Sequence, residues 1–437
     1  MHSNASNRLQ LLIAVTVLFA IPPQRGLAQT SVDTARVAGW RSDIAYYLDQ
    51  VKSRHYVYRN RPLPPGLIEA AARVSRNVPI YSDQRMLAEF EYLASFAGDG
   101  HTYMLPFGAR RVTATMLPFR MYQFTDGLYV IDAFSGYEKW IGARVIRIGD
   151  TAAETVIERM RPALSVDNRF GYLWVAPPLL SFRGMLEKFA DIDTGDVALT
   201  LRPPGGQNVR VKIPTVAAPQ LRGIPKLPAS KLPGAPPAPI YLSNVPENFW
   251  FRDLANGVLY FQFNQVMAGP QETLASFAKR LGDHAQETRP SAIIVDVRHN
   301  NGGNLTLLPP LMAAFHQYET SNPKGQIYVL MGRNTFSAAQ FFLGLMDAQT
   351  KAIFAGEPSS SRPNFVGEES QVVLPWSGAM GSISDRYHET IPGDTREWIK
   401  PEITYLPTST DYFANRDPLL DKVLVDIARR LREKSKK

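Results

Sequence analysis

The sequence of 437 residues predicts an α/β core preceded by an N-terminal helical domain and a β-rich middle domain. Three observations lead to this fold class. Apolar residues recur at helical spacing between residues 32 and 97 and alternate with a period near two between residues 112 and 216. Beyond residue 249, strand patterns and helix patterns follow one another in turn, which is typical of a layered α/β fold.

The first residues are expected to form a secretory signal peptide. Arg8 precedes a mostly apolar run over residues 9–21, and small residues lead up to Ala28. The apolar run is shorter than the roughly 20 residues that a membrane-spanning helix needs. We therefore expect residues 1–28 to be removed by cleavage near Ala28, leaving a periplasmic or secreted chain with no stable membrane anchor.

The composition restricts the chemistry. The chain has no cysteine, which excludes disulfides, cysteine nucleophiles and sulfur-rich metal sites. The formal charge is +8, or +6 without Arg8 and Arg25, and the charged residues are scattered, so no nucleic-acid partner is expected. With 45% hydrophobic and 20% charged residues, the chain is long enough and apolar enough for a sizeable globular core.

Domain boundaries follow from changes of periodicity. Residues 29–111 are predicted to form the helical domain and residues 112–216 the β-rich middle domain. Prolines crowd residues 217–248 and disfavour both helix interiors and central strands, which indicates a linker. The α/β core is assigned to residues 249–437, with strands at 257–263, 292–297, 326–331 and 352–355 and helices at 271–281, 309–318 and 337–348.

Ser337 lies between a predicted strand and an apolar predicted helix. At a helix start the free backbone N–H groups and the positive end of the helix dipole would stabilise an oxyanion formed on this hydroxyl. Serine is also a preferred N-cap, and Thr335 could cap the helix equally well. This segment alone leaves both interpretations open.

Two adjacent glycines, Gly302 and Gly303, follow the predicted strand 292–297. Glycine lets the backbone approach a ligand closely and turn an amide toward it. A plain tight turn explains the same residues. A phosphate-binding loop is disfavoured because no Gly-Lys-Ser/Thr ending is present.

His101 occupies the glycine-flanked turn Gly98–Thr102, where solvent and substrate could reach its ring. A neighbouring imidazole is the usual base for a hydroxyl nucleophile. His299, beside the glycine pair, is the competing base, and lone histidines are more often structural. No spacing of histidines and carboxylates indicates a metal site, and no cofactor is expected.

Together and in this order, the three segments resemble the tail-specific or C-terminal-processing serine peptidase family, in its tricorn-like branch. Arg298–Gly303 is similar to the family's strand-end glycine motif and Thr335–Ala339 to its nucleophile motif, while Gly356–Ser359 and Leu374–Gly378 match in position and type. The resemblance implies a crotonase-like (ClpP/crotonase) catalytic core. It also implies that the middle domain is a degenerate or circularly related PDZ-like module.

The resemblance also implies roles for single residues. Ser337 would be the nucleophile and His101 the base and later the acid, with the amides of Gly302 or Gly303 and of Ala338 as oxyanion donors. In the family's Ser/Lys scheme a lysine stands where this chain has Arg362. Arginine stays protonated and cannot act as a general base, which favours the scheme that uses His101.

A third group should orient the imidazole, and in the family a glutamate does so through a serine. Glu368 is the first candidate for this glutamate, followed by Glu402 and Glu357. Two positions depart from the family pattern: Gly100 stands where the tricorn-like scheme has a serine, and Gln340 replaces a commonly acidic residue.

The leading expectation is an exported serine endopeptidase that hydrolyses peptide or protein substrates through an acyl-enzyme. The departures at Gly100 and Gln340 keep open a non-proteolytic binding protein on the same core, and an esterase with the same apparatus is the third alternative. Covalent labelling of Ser337 separates an enzyme from a binding protein, and a panel of substrates separates a peptidase from an esterase.

Overall fold

A computed structural model describes residues 33–192, 194–219 and 226–434. The predicted signal peptide and its cleavage site lie outside these residues. Within the described ranges, no helix has both the length and the apolar composition needed to cross a membrane.

The N-terminal region folds into helices, as the spacing of its apolar residues predicts. Asp33 and Ser82 cap the first and third helices with side-chain oxygens that accept backbone N–H groups. The elements are α1 Thr34–Arg54, α2 Pro65–Asn77, α3 Asp83–Ala94 and the short strand β1 Tyr103–Met104.

The middle region combines an antiparallel sheet with helices that the alternating pattern did not all reveal. Its strands are β2 Thr115–Met116, β3 Phe119–Phe124, β4 Gly127–Ala133, β5 Arg144–Ile148, β6 Thr151–Ala152, β7 Val197–Arg202, β8 Val209–Ile213 and β9 Val216–Ala217. Its helices are α4 Ala153–Met160, α5 Arg169–Leu179 and α6 Arg183–Phe189. The main sheet has the order β3-β4-β5-β7-β8, with β6 paired to β5.

The C-terminal region is the predicted α/β layer. Its helices are α7 Ile240–Ser243, α8 Leu274–Thr288, α9 Pro309–Ser321, α10 Ala338–Gln349, α11 Ser409–Phe413 and α12 Pro418–Lys434. Its strands are β10 Phe249–Leu254, β11 Val258–Phe263, β12 Ala292–Asp296, β13 Gln326–Met331, β14 Ile353–Gly356, β15 Phe365–Gly367, β16 Ser370–Val373, β17 Met380–Ile383, β18 Arg386–His388 and β19 Ile403–Thr404.

One six-stranded sheet organises this region, in the order β10-β11-β12-β13-β14-β19. β10 is antiparallel to β11, and the remaining pairs are parallel. Phe277 of α8, Phe315 of α9 and Phe342 of α10 pack on one face, while Leu419 and Val423 of α12 pack on the other. Cover on both faces explains why these strands appear in the sequence as continuous apolar runs.

The N-terminal and middle regions share one hydrophobic cluster with part of the C-terminal region. Trp40, Phe90 and Phe119 belong to the same cluster as Leu374 and Ile383. Strand β1 also connects the N-terminal and C-terminal regions. It pairs with β17, and Tyr103 lies opposite Ser382. The turn that contains His101 is thereby attached to the C-terminal part of the chain. A mixed α/β fold with several sheets is confirmed.

Candidate active site

Ser337 connects β13 to α10 in an unusual backbone conformation. Its φ is 56° and its ψ is −126°, in a region that residues other than glycine rarely adopt. Thr335 fixes the turn, since its Oγ1 donates to the Val297 carbonyl at 2.9 Å and accepts from the Gly332 N–H at 3.2 Å. The side chain of Ser337 does not cap α10. The half-buried hydroxyl is therefore left available for chemistry.

Backbone donors lie next to this serine because β12 and β13 are parallel neighbours whose carboxyl ends meet at one edge of the sheet. A Cβ placed on Gly302 would lie 2.6 Å from the Ser337 Cβ and 3.0 Å from the Ala338 nitrogen. Among the described residues, the N–H groups of Gly303 and Ala338 have no hydrogen-bond acceptor. The Gly302 N–H donates to Asn300 Oδ1 at 3.0 Å. Gly303 and Ala338 are thus the pair with free donors.

His101 is fully buried, and its turn is fixed by Asp99. The Asp99 carboxylate accepts the backbone N–H groups of His101 and Thr102 at 2.9 and 2.8 Å. It also accepts from Ser384 Oγ at 2.6 Å and pairs with His55 Nε2 at 2.9 Å. Burial opposes its ionisation, but the hydrogen bonds from His55 and Ser384 hold the pKa of Asp99 below its ordinary value.

The imidazole of His101 lies between two aromatic rings. Its ring centroid is 4.2 Å from that of Phe336, the residue before Ser337, and 5.4 Å from that of Phe365. Neither ring nitrogen makes a hydrogen bond of good geometry within the described residues, and the backbone of Val366 provides only a weak contact that opposes the lowering of the ring's pKa. The structure therefore places His101 against the neighbour of Ser337 without a hydrogen bond between the imidazole and the hydroxyl.

Burial lowers the pKa of His101 to about 4, against the opposing attraction of the Asp99 carboxylate. The imidazole is consequently neutral at pH 7. A neutral imidazole can accept a proton, which a general base must do.

The three glutamates proposed to orient His101 have other partners. Glu368 lies 3.5 Å from His388 Nε2, and the Phe365 ring packs between the rings of His388 and His101. Glu357 is paired with Arg333 at 2.6 Å. Glu402 is the most exposed of the three and lies 3.7 Å from Arg430. The structure does not bring any of them into contact with His101; Asp99 is the carboxylate beside it.

The competing base, His299, lies in a different environment. Its buried ring stacks on Tyr241 at a centroid distance of 5.6 Å, beside a cavity of about 60 Å³. Its neighbour Arg298 forms ion pairs with Asp296 and Asp417 at 2.5 and 2.8 Å. These contacts indicate a structural role for Arg298 and His299.

The two departures from the family pattern have local explanations. A Cβ at Gly100 would lie 2.9 Å from the Phe336 ring, which occupies the space that a side chain there would need. Gln340 is buried, and its Oε1 accepts the hydroxyl of Ser359 at 2.6 Å. The Phe336 ring therefore requires a residue without a side chain at position 100. Gln340 is explained by its hydrogen bond with Ser359.

Asp167 is a site residue that the sequence did not indicate. It is buried below the His101 turn, where its Oδ1 accepts the Gly100 N–H at 3.0 Å and its Oδ2 has no partner. Burial, reinforced by the charge of Asp99, raises its pKa to about 7. Arg362, in the place of the family's lysine, donates to the Asp167 carbonyl at 3.2 Å.

A cavity of about 500 Å³ opens beside the site and is lined in part by Gly100, Asn301 and Phe336. Among the residues that the structure describes, no group of three or more histidines and carboxylates is arranged to hold a metal ion. The chemistry available here is that of a hydroxyl, an imidazole and backbone donors beside a substrate-sized space.

No family model matches the chain, and no curated protein matches it. Among solved structures, mature CPAF in complex with lactacystin matches 92% of this chain and 100% of its own, with 14% sequence identity and a TM-score of 0.62. Mature CPAF matches 92% and 99%, with 14% identity and a TM-score of 0.58. The chain has the CPAF fold. The s499a mutant of CPAF agrees, with 12% identity, coverage of 87% and 95%, and a TM-score of 0.57.

The CPAF fold is consistent with the tail-specific and C-terminal-processing peptidases that the three sequence segments resemble. At 12–14% identity this likeness concerns the fold. The roles of Ser337 and His101 depend on the contacts described above.

Proposed function

We propose that this protein is an exported serine endopeptidase in which Ser337 is the nucleophile and His101 the general base. The observation that carries the proposal is the stacking of the His101 ring on Phe336, the residue immediately before the strained Ser337. A chain segment from the helical region is thereby brought to a hydroxyl at the start of α10. The free N–H groups of Gly303 and Ala338 supply the remaining part that acyl transfer needs.

The reaction has two halves. Ser337 Oγ attacks the scissile carbonyl carbon while His101 takes its proton, and the N–H groups of Gly303 and Ala338 donate to the oxyanion. The intermediate collapses when His101 returns the proton to the leaving amine, which leaves an acyl group on Ser337. Water, deprotonated by His101, then releases the second product. The hydrogen bond between the imidazole and the hydroxyl would form with substrate bound, as catalytic hydrogen bonds that are long or poorly aligned in the free enzyme often do.

Asp99 is our candidate for the third member of the site, acting on His101 through the backbone of its turn and through its charge rather than through a hydrogen bond to the ring. Its carboxylate fixes the backbone of the His101 turn, and its charge stabilises the imidazolium that forms when His101 takes the proton. Glu368 would influence His101 only across the Phe365 ring, through its contact with His388. We assign Asp99 as a positioning residue in preference to Glu368.

The finer architecture belongs to the same proposal. The parallel strands β11 to β14 with helices on both faces support a crotonase-like core in residues 249–437. The antiparallel sheet of β3 to β8 with its adjoining helix α4 supports a PDZ-like module in residues 112–216. Export after cleavage near Ala28 is supported by the sequence pattern of residues 1–28.

The test of the proposal is hydrolysis of a mixed panel of fluorogenic peptides by Ser337→Ala. Loss of the nucleophile should lower peptide turnover by at least about 10⁴-fold while the circular dichroism spectrum stays the same. Ser243→Ala is the matched control, because this serine of α7 is exposed and its hydroxyl donates to the Ile240 carbonyl of the same helix. Unchanged turnover by Ser337→Ala would refute the proposal.

A binding protein on the same core is the second candidate. The absence of a hydrogen bond between His101 and Ser337 favours it, because a protein that only binds its ligand needs no base at the hydroxyl. A binding protein would take up peptides or apolar ligands without hydrolysis and would not react with a fluorophosphonate. An esterase would react with the fluorophosphonate and would cleave esters but not peptides from the panel.

A further inference from the structure

The cavity of about 500 Å³ lies next to the proposed reaction centre. Asn301 and Phe336, which line it, directly precede Gly302 and Ser337 in the chain, and Gly100 directly precedes His101. A substrate bound across Ser337 would therefore place a neighbouring side chain in this space.

Most of the cavity wall is apolar. Leu105, Phe107, Trp174, Leu179 and Met380 contribute to it. Such a wall accommodates the methylene stem of a long side chain, which gains free energy when it leaves water.

Two carboxylates interrupt the apolar wall. Glu91 of α3 is only 4% exposed, and its Oε2 accepts the Met104 N–H at 2.8 Å. Its Oε1 makes no hydrogen bond within the described residues, and Glu369 lines the same cavity. Ser382 contributes a buried Oγ that also has no partner. Glu91 Oε1 and Ser382 Oγ are therefore unused acceptors at the wall, whereas Glu369 is exposed and accepts from the Tyr103 hydroxyl.

No positively charged residue of the cavity wall balances the buried Glu91. The residues that line the cavity in the described part of the chain include no lysine, arginine or histidine. A buried carboxylate without a cation is unfavourable, and a ligand that brings a cation relieves this cost.

We propose that this cavity is a specificity pocket in which Glu91 and Glu369 select a substrate side chain with a long apolar stem and a cationic end, namely lysine or arginine. The inference depends on the proposed function, because the substrate class is a peptide that Ser337 cleaves. The ammonium or guanidinium group donates to the free Glu91 oxygen, while its stem contacts the apolar wall.

The protonation of Glu91 sets the conditions of the test. Burial raises its pKa to about 8, against the opposing hydrogen bond from the Met104 N–H. Tyr47 of α1 and Tyr103 of β1 are the titratable groups that face it, and Glu369 lies next to Tyr103. A bound cation would lower the pKa of Glu91, and at pH 8.5 most of the carboxyl groups are ionised before binding.

The experiment measures binding in the Ser337→Ala background, so that its outcome does not depend on catalysis. Two fluorescein-labelled peptides that differ only in one lysine or norleucine are titrated at pH 8.5, with the variable residue at each position in turn. At one position the lysine peptide should bind at least about tenfold more tightly, the effect of one charge-assisted hydrogen bond. Adding Glu91→Gln should remove this preference and retain the binding of the norleucine peptide, which shows an intact pocket.

Glu69→Gln is the control, because it removes one negative charge from the exposed face of α2 and leaves the cavity unchanged. Equal binding of both peptides at every position, no binding of either, or a lysine preference that persists in Glu91→Gln would overturn the inference. A wild-type protein that binds lysine peptides selectively but hydrolyses none would refute the proposed function and leave the pocket assignment standing.

Discussion

Burial of an imidazole without hydrogen bonds is the most informative feature at the scale of single residues. Each unpaired buried polar group costs about 1–3 kcal/mol, and both ring nitrogens of His101 are in this state. Stacking on Phe336 and Phe365 fixes the ring despite this cost. Burial also weakens the ring as a base, because it lowers the pKa of His101 to about 4, but it leaves the neutral nitrogens open to a bound reaction partner.

The pH dependence of turnover follows from this environment. Because the pKa of His101 is lowered to about 4, the neutral base is present above that pH and is lost as the pH falls through it. The value of kcat/KM for an uncharged peptide should therefore rise about tenfold per pH unit below pH 4 and level off above about pH 5. A pH–rate profile with reversibility checked by return to pH 7 measures this.

An acid limb centred near the ordinary histidine value of 6.5 would contradict the assignment of His101 as the base in its buried state. The profile of an ester substrate serves as the control, since the same base should give the same limb.

At this scale the sequence predicts only those candidate residues that carry local signals. Ser337, His101 and the glycine pair stand in short motifs whose order along the chain is informative. The roles of Asp99 and Asp167 depend on tertiary contacts, such as the bond between Asp167 and the Gly100 N–H, which joins residues 67 positions apart. None of Glu368, Glu357 and Glu402 contacts His101 in the structure. Nothing local in the sequence shows which carboxylate the fold brings to this ring.

Among the elements, the loop after β12 has the strictest geometry. Gly303 has a φ of 134°, and a Cβ there would lie 2.2 Å from the Val266 carbonyl oxygen. Its neighbour Gly302 accepts the Val266 N–H through its carbonyl at 2.9 Å. These contacts fix the direction of the Gly303 N–H beside Ser337.

Gly303→Ala should consequently displace this loop and remove one oxyanion donor. We expect kcat to fall by about 10²–10³-fold, the usual effect of losing one such donor. Gly205→Ala is the control, because Gly205 also has a positive φ of 67° but nothing within 4 Å of the added Cβ. Steady-state kinetics on one peptide measures both variants, and full activity in Gly303→Ala would exclude this amide from the site.

Elements differed in how far the sequence predicted them. The strand at Gln326–Met331 was predicted with its observed bounds, since it is apolar and buried on both faces. The pairing of β1 with β17 was missed, because a strand of two residues has no periodicity that a sequence could show. The helices α5 and α6 were also missed, and α5 carries Pro177 and Pro178, residues that normally indicate the end of a helix.

At the scale of the whole molecule, the N-terminal region contacts the C-terminal region through the hairpin of β16 and β17. Asp43 of α1 accepts the N–H groups of Trp376 and Ser377 at 2.8 and 2.9 Å. Ser384, directly after β17, donates to Asp99 and thereby joins the His101 turn. The shared hydrophobic cluster makes these contacts part of one core, and the position of His101 depends on them.

The most direct measurement is the rate at which a fluorophosphonate labels the protein, with the modified residue identified by mass spectrometry. In the wild type, the label should attach to Ser337. In His101→Ala the labelling rate should fall by at least about a hundredfold, because the hydroxyl loses the base that activates it. Labelling of another serine, or an equal rate without the imidazole, would contradict the account.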